Sequence, residues 1–323
     1  MKGPGPINQC AGQFQIRRVL VAVDFSPPSR AALAFAVPLL RKFGAELHLV
    51  HVVAADVPLA GLMALPLIVP EIEVERRIRS HLKEFAAKEV LPVRPENIHA
   101  VKGRPFEEIC RLARELEIDL IITGTRGQTG LKHLVLGSTA ERVVRHAPCP
   151  VLVLHSLGNS RRDRALFRKI LVPVDFSRCS AEGVAVARAL AKEFDSKLFL
   201  LHSIDLHYYS ANSKYLLYDY PPLLAAAETA ARQQMKELVA AVAQEDIAVD
   251  STLENGHVGE QICVRARELR VDLIVTSTHG RTGVKHALLG STAEYVVRHA
   301  SCPVLVVPSR VRARRAPAET IRK

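Results

Sequence analysis

Asp119-Leu-Ile-Ile-Thr-Gly124-Thr-Arg-Gly127 leads, nine residues on, into Gly137-Ser-Thr-Ala-Glu141, and the rest of the chain can be read outward from there. The apolar run before Gly124 has the length and β-branched content of a buried strand. Gly124, Gly127 and Gly137 lack a Cβ, so the backbone can take a positive φ or lie close against a ligand. Ser138 to Glu141 opens a helical pattern. A strand, a glycine loop and a helix start make an anion cradle. The unpaired N–H groups of a first helical turn carry about half a positive charge, and Ser138 and Thr139 add hydroxyl donors, so phosphate oxygens suit the place. The same residues have a plainer reading. Ser138-x-x-Glu141 is a capping box, in which each side chain satisfies the other residue's backbone donor for about 1 kcal/mol.

The pattern recurs. Ser277-Thr-His-Gly280 and Leu289-Gly-Ser-Thr-Ala-Glu294 repeat it at the same spacing, with Ser277 where the first copy has Gly124. The first copy, Gly-x2-Gly-x9-Gly-Ser at Gly124, Gly127, Gly137 and Ser138, resembles the nucleotide loop of the universal stress protein superfamily at every fixed position. The second copy matches three of the four. The resemblance extends over Phe14 to Ser156 and Phe167 to Ser309. It includes Leu20-Val-Ala-Val-Asp-Phe25 with Leu171-Val-Pro-Val-Asp-Phe176, and Leu49-Val-His-Val52 with Leu200-Leu-His-Ser203. It implies a tandem universal stress protein.

A length of 323 residues with 48% hydrophobic composition holds two domains of ordinary size. The expected division is 14–156 and 167–309 as the two domains, 157–166 as a basic linker and 310–323 as a basic tail. Residues 1–15 read as an unstructured arm. Within the first domain the expected strands are Arg18 to Val23 ending at Asp24, Glu46 to Val53, Ile98 to Lys102, the run before Gly124, and Val151 to Leu154. The expected helices are Ala31 to Phe43, stopped by Gly44 and strained by Pro38, then Glu71 to about Leu91, and one opened by Pro105. The second half replays this with Ile170 to Asp175, a helix from Ser180 to Phe194, Leu198 to Ser203 and a helix from about Leu223. Strands alternating with helices argue for an α/β fold of two tandem, doubly wound parallel sheets. The resemblance implies five strands each in the order 3-2-1-4-5, a Rossmann-like adenine-nucleotide-binding arrangement. Asp24, Val52 and the glycine loop then meet beyond the strand ends at the point where the order reverses.

The net charge of +11 is carried mostly by Arg161 to Lys169 and Ser309 to Lys323, at the linker and the tail and the domain ends next to them. Such runs are commonly solvated linkers and ends, and without aromatic or helix-turn-helix signals a nucleic-acid partner is not expected. No apolar run of about 18 residues occurs and the opening Met1-Lys-Gly-Pro-Gly-Pro6 has no hydrophobic region, so no transmembrane segment or leader is expected and the cytoplasm is the default. Of the six cysteines, Cys110 and Cys263 are repeat equivalents, as are Cys149 and Cys302, whereas Cys10 and Cys179 have no counterpart. No C-x-x-C pair points to zinc or redox chemistry, and no metal ligand set is expected. His48 and His51, three apart on a strand, face opposite sides of the sheet and read as packing residues. His146 and His299 read as helix-end partners of the dipole.

What the resemblance implies for the site is specific. In relatives that bind ATP, the aspartate ending the first strand contacts the adenosine, a role that falls to Asp24 and Asp175. The residue after the strand-two histidine meets adenine through its backbone, at Val52 and Ser203. Phosphates would be held by Gly124, Arg126, Gly127, Gly137, Ser138 and Thr139, and by Gly280, Gly290, Ser291 and Thr292. If the position of Gly124 needs a positive φ, Ser277 costs on the order of 1 kcal/mol and weakens the second site several-fold. The ligand would be ATP, ADP or AMP with Mg. A non-enzymatic stress sensor is the favoured function, because no Walker A pattern or motif-tied base accompanies the loop. A slow ATP hydrolase or nucleotidyl-transfer enzyme, with Arg126 steadying phosphate charge, and a nucleotide-free scaffold are the alternatives. The stretches Val57 to Val69 and His207 to Tyr220 differ between the repeats and are candidate surfaces for an unknown protein partner. Single-domain relatives commonly dimerise through their last strands, so Val151 to Leu154 and Val304 to Val307 are expected to pair as an intrachain pseudo-dimer, with a further homodimer possible.

Overall fold

The computed structural model describes residues 14–54, 71–89, 93–125, 137–154, 167–204, 220–280 and 289–309. Arg126, Gly127, Cys10, both divergent stretches apart from Tyr220, the linker and the tail lie outside them.

The first half runs β1 (Arg18–Ala22), α1 (Pro27–Phe43), β2 (Glu46–Ala54), α2 (Glu71–Ala87), β3 (Ile98–Gly103), α3 (Pro105–Glu115), β4 (Leu120–Gly124), α4 (Ser138–His146) and β5 (Val151–Leu154). The second half repeats it as β6 (Lys169–Pro173), α5 (Arg178–Phe194), β7 (Lys197–Ile204), α6 (Tyr220–Ala243), β8 (Val249–Asn255), α7 (Val258–Glu268), β9 (Leu273–Ser277), α8 (Ser291–His299) and β10 (Val304–Val307). Within each half the strands are parallel in the expected order 3-2-1-4-5. The two sheets do not stand apart. β5 and β10 pair antiparallel, with Val153 opposite Val304 and Leu152 opposite Leu305, and make one ten-stranded sheet. Each of these last strands would otherwise present an open edge of unpaired backbone groups.

Two cores sandwich the sheet. α1, α2, α5 and α6 cover one face with residues such as Leu33, Leu82, Val184 and Leu238. α3, α4, α7 and α8 cover the other with Ile109, Val143, Ile262 and Val296. Strands buried on both faces read as unbroken apolar runs, which is why β4 and β9 stand out in the sequence. Phenylalanines stitch the halves beside the β5–β10 seam: Phe35 and Phe167 have ring centroids 6.0 Å apart, Phe167 and Phe194 5.1 Å, and Phe43 and Phe194 5.8 Å.

Several boundaries differ from expectation for local reasons. α1 begins at Pro27 rather than Ala31, because Ser26 caps it by accepting from the Ser29 N–H at 3.3 Å and the two prolines occupy first-turn positions, where a missing N–H costs nothing. It continues past Pro38 and ends at Gly44, which holds φ 60°. α5 likewise begins at Arg178 under the Ser177 cap. α2 ends at Ala87, earlier than expected, and α6 starts at Tyr220 with prolines in its first turn. β2 continues two residues beyond Val52, so Val52 lies within the strand, paired with Val101. β1 and β6 stop short of Asp24 and Asp175, which sit in the connections to α1 and α5. The ordered chain already includes Phe14, packed on the core, and the buried Ile16.

Candidate functional site

β1 is the strand from which the chain departs in both directions: it pairs with β2 on one side and β4 on the other. β6 has the same position between β7 and β9. The gap between the loops leaving β1 and β4, or β6 and β9, is the natural ligand crevice of an open parallel sheet.

At the β1 exit Phe25 turns the chain with φ 63°. The Ser26 N–H donates to Asp24 Oδ1 at 3.0 Å and the Ser26 hydroxyl to the same oxygen at 2.5 Å, while the Ser26 hydroxyl oxygen caps α1. The second half reproduces the turn, with Phe176 at φ 61° and the Ser177 N–H donating to Asp175 Oδ1 at 2.9 Å. One carboxylate oxygen therefore serves a local turn. The other faces the loop: a Cβ on Gly280 would lie 2.6 Å from Asp175 Oδ2. Gly280 is a glycine because the aspartate occupies its side-chain space.

Gly124 and Gly290 are held by close approach rather than by backbone strain, contrary to the expected positive φ. Gly137 and Gly290 hold φ of −59° and −60°. A Cβ on Gly290 would meet the Thr278 carbonyl oxygen at 3.1 Å, and one on Gly124 would meet Pro28 Cβ at 3.0 Å. Neither Gly124 nor Ser277 is in the left-handed region. The penalty expected for Ser277 therefore does not arise. Cys179 stands where the first half has Pro28, and Gly183 where it has Ala32. A Cβ on Gly183 would be 3.9 Å from the Ser277 nitrogen, an ordinary contact.

The capping box is not formed. Gly137, not Ser138, is the N-cap of α4, and no side chain caps the helix; Glu141 pairs instead with Arg145 at 2.8 Å, one turn on. α8 matches it, with Gly290 as N-cap and Glu294 paired to Arg298 at 2.9 Å. The helix starts are tied to the strand ends. The Gly137 N–H donates to the Thr125 carbonyl at 2.8 Å and the Thr125 N–H to the Leu154 carbonyl at 2.9 Å. Gly290, Thr278 and Val307 repeat this at 2.8 and 3.0 Å. Ser138 and Ser291 are exposed, and Thr139 and Thr292 half-buried, on first turns whose N-cap is a glycine with no side chain to cap them. A glycine-capped helix start, tied to the end of the strand next to the one whose exit carries an aspartate, has the donors to receive an anion with hydroxyl groups attached.

Val52 is half-buried beside Val101. Ser203 is buried and donates its hydroxyl to the Gly256 carbonyl at 2.9 Å. His51, read from sequence as packing, and His202 contact the β1 and β6 exits directly. Their signal was the recurrence of a histidine at one strand position in both repeats. His146 and His299 each donate from Nδ1 to the carbonyl four residues earlier at 2.8 Å, as expected at helix ends. Burial raises the thiols of Cys110 and Cys263 to about 11 and pushes Cys149 higher still, so these cysteines are packing groups. Cys179 is raised too, by burial first and then by Glu182 and Asp175.

The model of the Universal stress protein family matches residues 15–155 and again 166–308. The chain belongs to the universal stress protein family. It is 27% identical over 301 residues to a universal stress protein of Mycobacterium tuberculosis H37Rv, covering 89% of this chain and 95% of that one. A Bacillus subtilis universal stress protein is 37% identical over 147 residues, 42% of this chain and 97% of its own length. A universal stress protein structure from Archaeoglobus fulgidus superposes with a TM-score of 0.62 at 22% identity, covering 92% of this chain and 98% of that one, and so shares the fold. Full-length coverage by the mycobacterial protein and half coverage by the Bacillus protein fit two universal stress protein domains in one chain. Among the described residues, no helix is long and apolar enough to cross a membrane.

Proposed function

We propose that this universal stress protein is an adenine-nucleotide sensor that binds ATP, ADP or AMP with Mg in both halves and acts without turning it over. Residues 14–156 and 167–309 are its two nucleotide-binding domains, joined by 157–166 and followed by the basic tail 310–323. The observation that carries the reading is the duplicated pairing of a bare, glycine-capped helix start with an aspartate. Gly137, which opens α4 ahead of Ser138 and Thr139, is tied through Thr125 to the end of β4, the neighbour of the strand whose exit bears Asp24; Gly290, ahead of Ser291 and Thr292, is tied through Thr278 to the end of β9, the neighbour of the strand whose exit bears Asp175. The glycines keep the loop close-packed at the strand ends, since a Cβ at Gly280 would meet the Asp175 carboxylate and one at Gly290 the Thr278 carbonyl. Asp24 and Asp175 would take the ribose hydroxyls, and the backbone at Val52 and Ser203 the base. The first-turn N–H and hydroxyl groups of α4 and α8 would take the phosphates, with Arg126 and Gly127 completing the first loop and Gly124 holding its base against α1. Bound nucleotide would order the loops and alter which protein partner is met. The cysteines in the described chain are all free thiols, which suits the reducing cytoplasm.

Calorimetric titration of nucleotide-free protein with Mg-ATP tests this. Two sites per chain, falling to one in Gly137→Val, are expected. No heat at several temperatures together with no retention in equilibrium dialysis would leave the chain a nucleotide-free scaffold.

A further inference from the structure

The exits of β1 and β6 share a device that lies outside the glycine-loop motif. His51, on β2, contacts the Val23 carbonyl through Nδ1 at 2.7 Å, and His202, on β7, contacts the Val174 carbonyl at 2.6 Å. A carbonyl only accepts, so each ring carries its proton on Nδ1. Each ring also lies 4.7 Å from the next phenylalanine, Phe25 or Phe176, at an interplanar angle of 41° in both halves. Those phenylalanines hold φ of 63° and 61°, a region that a bulky side chain keeps only when its surroundings over-determine it. The Val23 N–H is held as well, by the Val50 carbonyl at 2.8 Å, and the Val174 N–H by that of Leu201 at 2.7 Å. The residues before and after each aspartate are thus fixed, and the carboxylate between them is aimed.

We infer that His51 and His202 are positioning residues for the two crevices, each orienting its aspartate by donating to the preceding carbonyl and clamping the following phenylalanine in the left-handed region. The inference rests on the nucleotide reading above. Simple packing would not require the same hydrogen bond, ring angle and backbone conformation twice. Elsewhere the two halves have diverged: on the opposite face Phe199 and Thr252 replace His48 and His99.

The test is nucleotide titration of the full chain carrying His51→Leu or His51→Asn, with the matching changes at His202. Asparagine places an amide N–H where Nδ1 donates, whereas leucine keeps apolar volume without a donor. Leucine is expected to weaken one of two sites by ~10-fold and asparagine to restore it to within ~3-fold, at equal thermal midpoints. Unchanged affinity in the leucine variant, or equal loss in both, overturns the inference. If the unaltered chain binds no nucleotide, the functional reading fails and the clamp is read on the free protein from the backbone chemical shifts of Asp24 and Phe25. Loss of the left-handed signature in His51→Leu and its return in His51→Asn support the clamp, and unchanged shifts in His51→Leu overturn it. Should His51→Leu fail to fold, His51→Gln, which moves the donor to the Nε2 position, takes its place.

Discussion

The Ser277 hydroxyl donates to the His279 carbonyl at 2.8 Å, closing the first turn of the second loop on itself. The one departure from the family's glycine pattern is thus an ordinary strand-end residue with a satisfied side chain. Ser277→Gly is expected to change ATP affinity at the second site by no more than ~2-fold, equivalent to about 0.4 kcal/mol. A gain of tenfold or more in calorimetry would mean that the serine does impair the site.

Gly280 and Asp175 make the complementary case. A methyl group at Gly280 would stand 2.6 Å from Asp175 Oδ2, so Gly280→Ala must turn the carboxylate away or shift the loop. Loss of a charge-assisted contact is worth about 1.5–3 kcal/mol, so affinity at the second site should fall by roughly 10- to 100-fold while the first site keeps its own. Equal affinities at both sites in this variant would remove Asp175 from the crevice.

Acid should loosen the first half through a pair of histidines. His48 and His99 face each other, Nδ1 to Nε2 at 3.2 Å, beneath α3, and Glu46 Oε2 lies 3.8 Å from His48 Nε2. Burial first, then the neighbouring His48 and Arg79, lowers His99 to about 4; burial also lowers His48 against the pull of Glu46. Histidines held neutral in the fold take up protons more readily when unfolded. Their stabilising contribution is therefore full above the unfolded value near 6.5 and is lost as pH falls through about 4. In the double variant His48→Phe, His99→Thr, which copies the second half, the stability lost between pH 7.5 and pH 5 should shrink by about 1–2 kcal/mol in urea unfolding. An unaltered pH dependence would exclude the pair as its source.

Asp195 ends α5 in the left-handed region at φ 50°, exposed, where Gly44 ends α1 at φ 60°. Asp195→Gly should stabilise the chain by about 0.5–1 kcal/mol and raise the thermal midpoint by ~2 °C, since glycine alone meets no Cβ penalty there. A lower midpoint would show that the aspartate makes a compensating contact.

The strands were legible because parallel strands buried on both faces leave unbroken apolar runs, as at Leu120 to Thr123 and Leu273 to Thr276, and because the duplication shows each element twice; their order came from the family resemblance. Residues whose meaning depends on a distant partner were less legible. Gly124 looked like a conformational glycine, but its constraint is contact with Pro28, nearly a hundred positions away in the chain. Ser138 and Glu141 had the spacing of a capping box, yet Gly137 took the cap because its N–H is drawn to Thr125 and its carbonyl accepts from Glu141. Pro27 and Pro28 lay ahead of the expected helix start at Ala31 and form the first turn of α1, since proline suits that position. The hydrogen bonds of His51 and His202 were invisible, because nothing in a strand's alternation says that a ring will reach back to the neighbouring strand's exit.

The antiparallel seam between β5 and β10 gives this molecule a property that two separate subunits would lack. Halves joined in one polypeptide meet at an effective concentration set by the chain, so their pairing does not weaken on dilution and neither half can exchange its companion for another. Each change on one side of the seam is inherited with a single fixed counterpart. A histidine pair under one half of the sheet, a phenylalanine and threonine under the other, and a glycine ending β4 where a serine ends β9 are differences that a symmetric homodimer could not carry, because every substitution there appears twice.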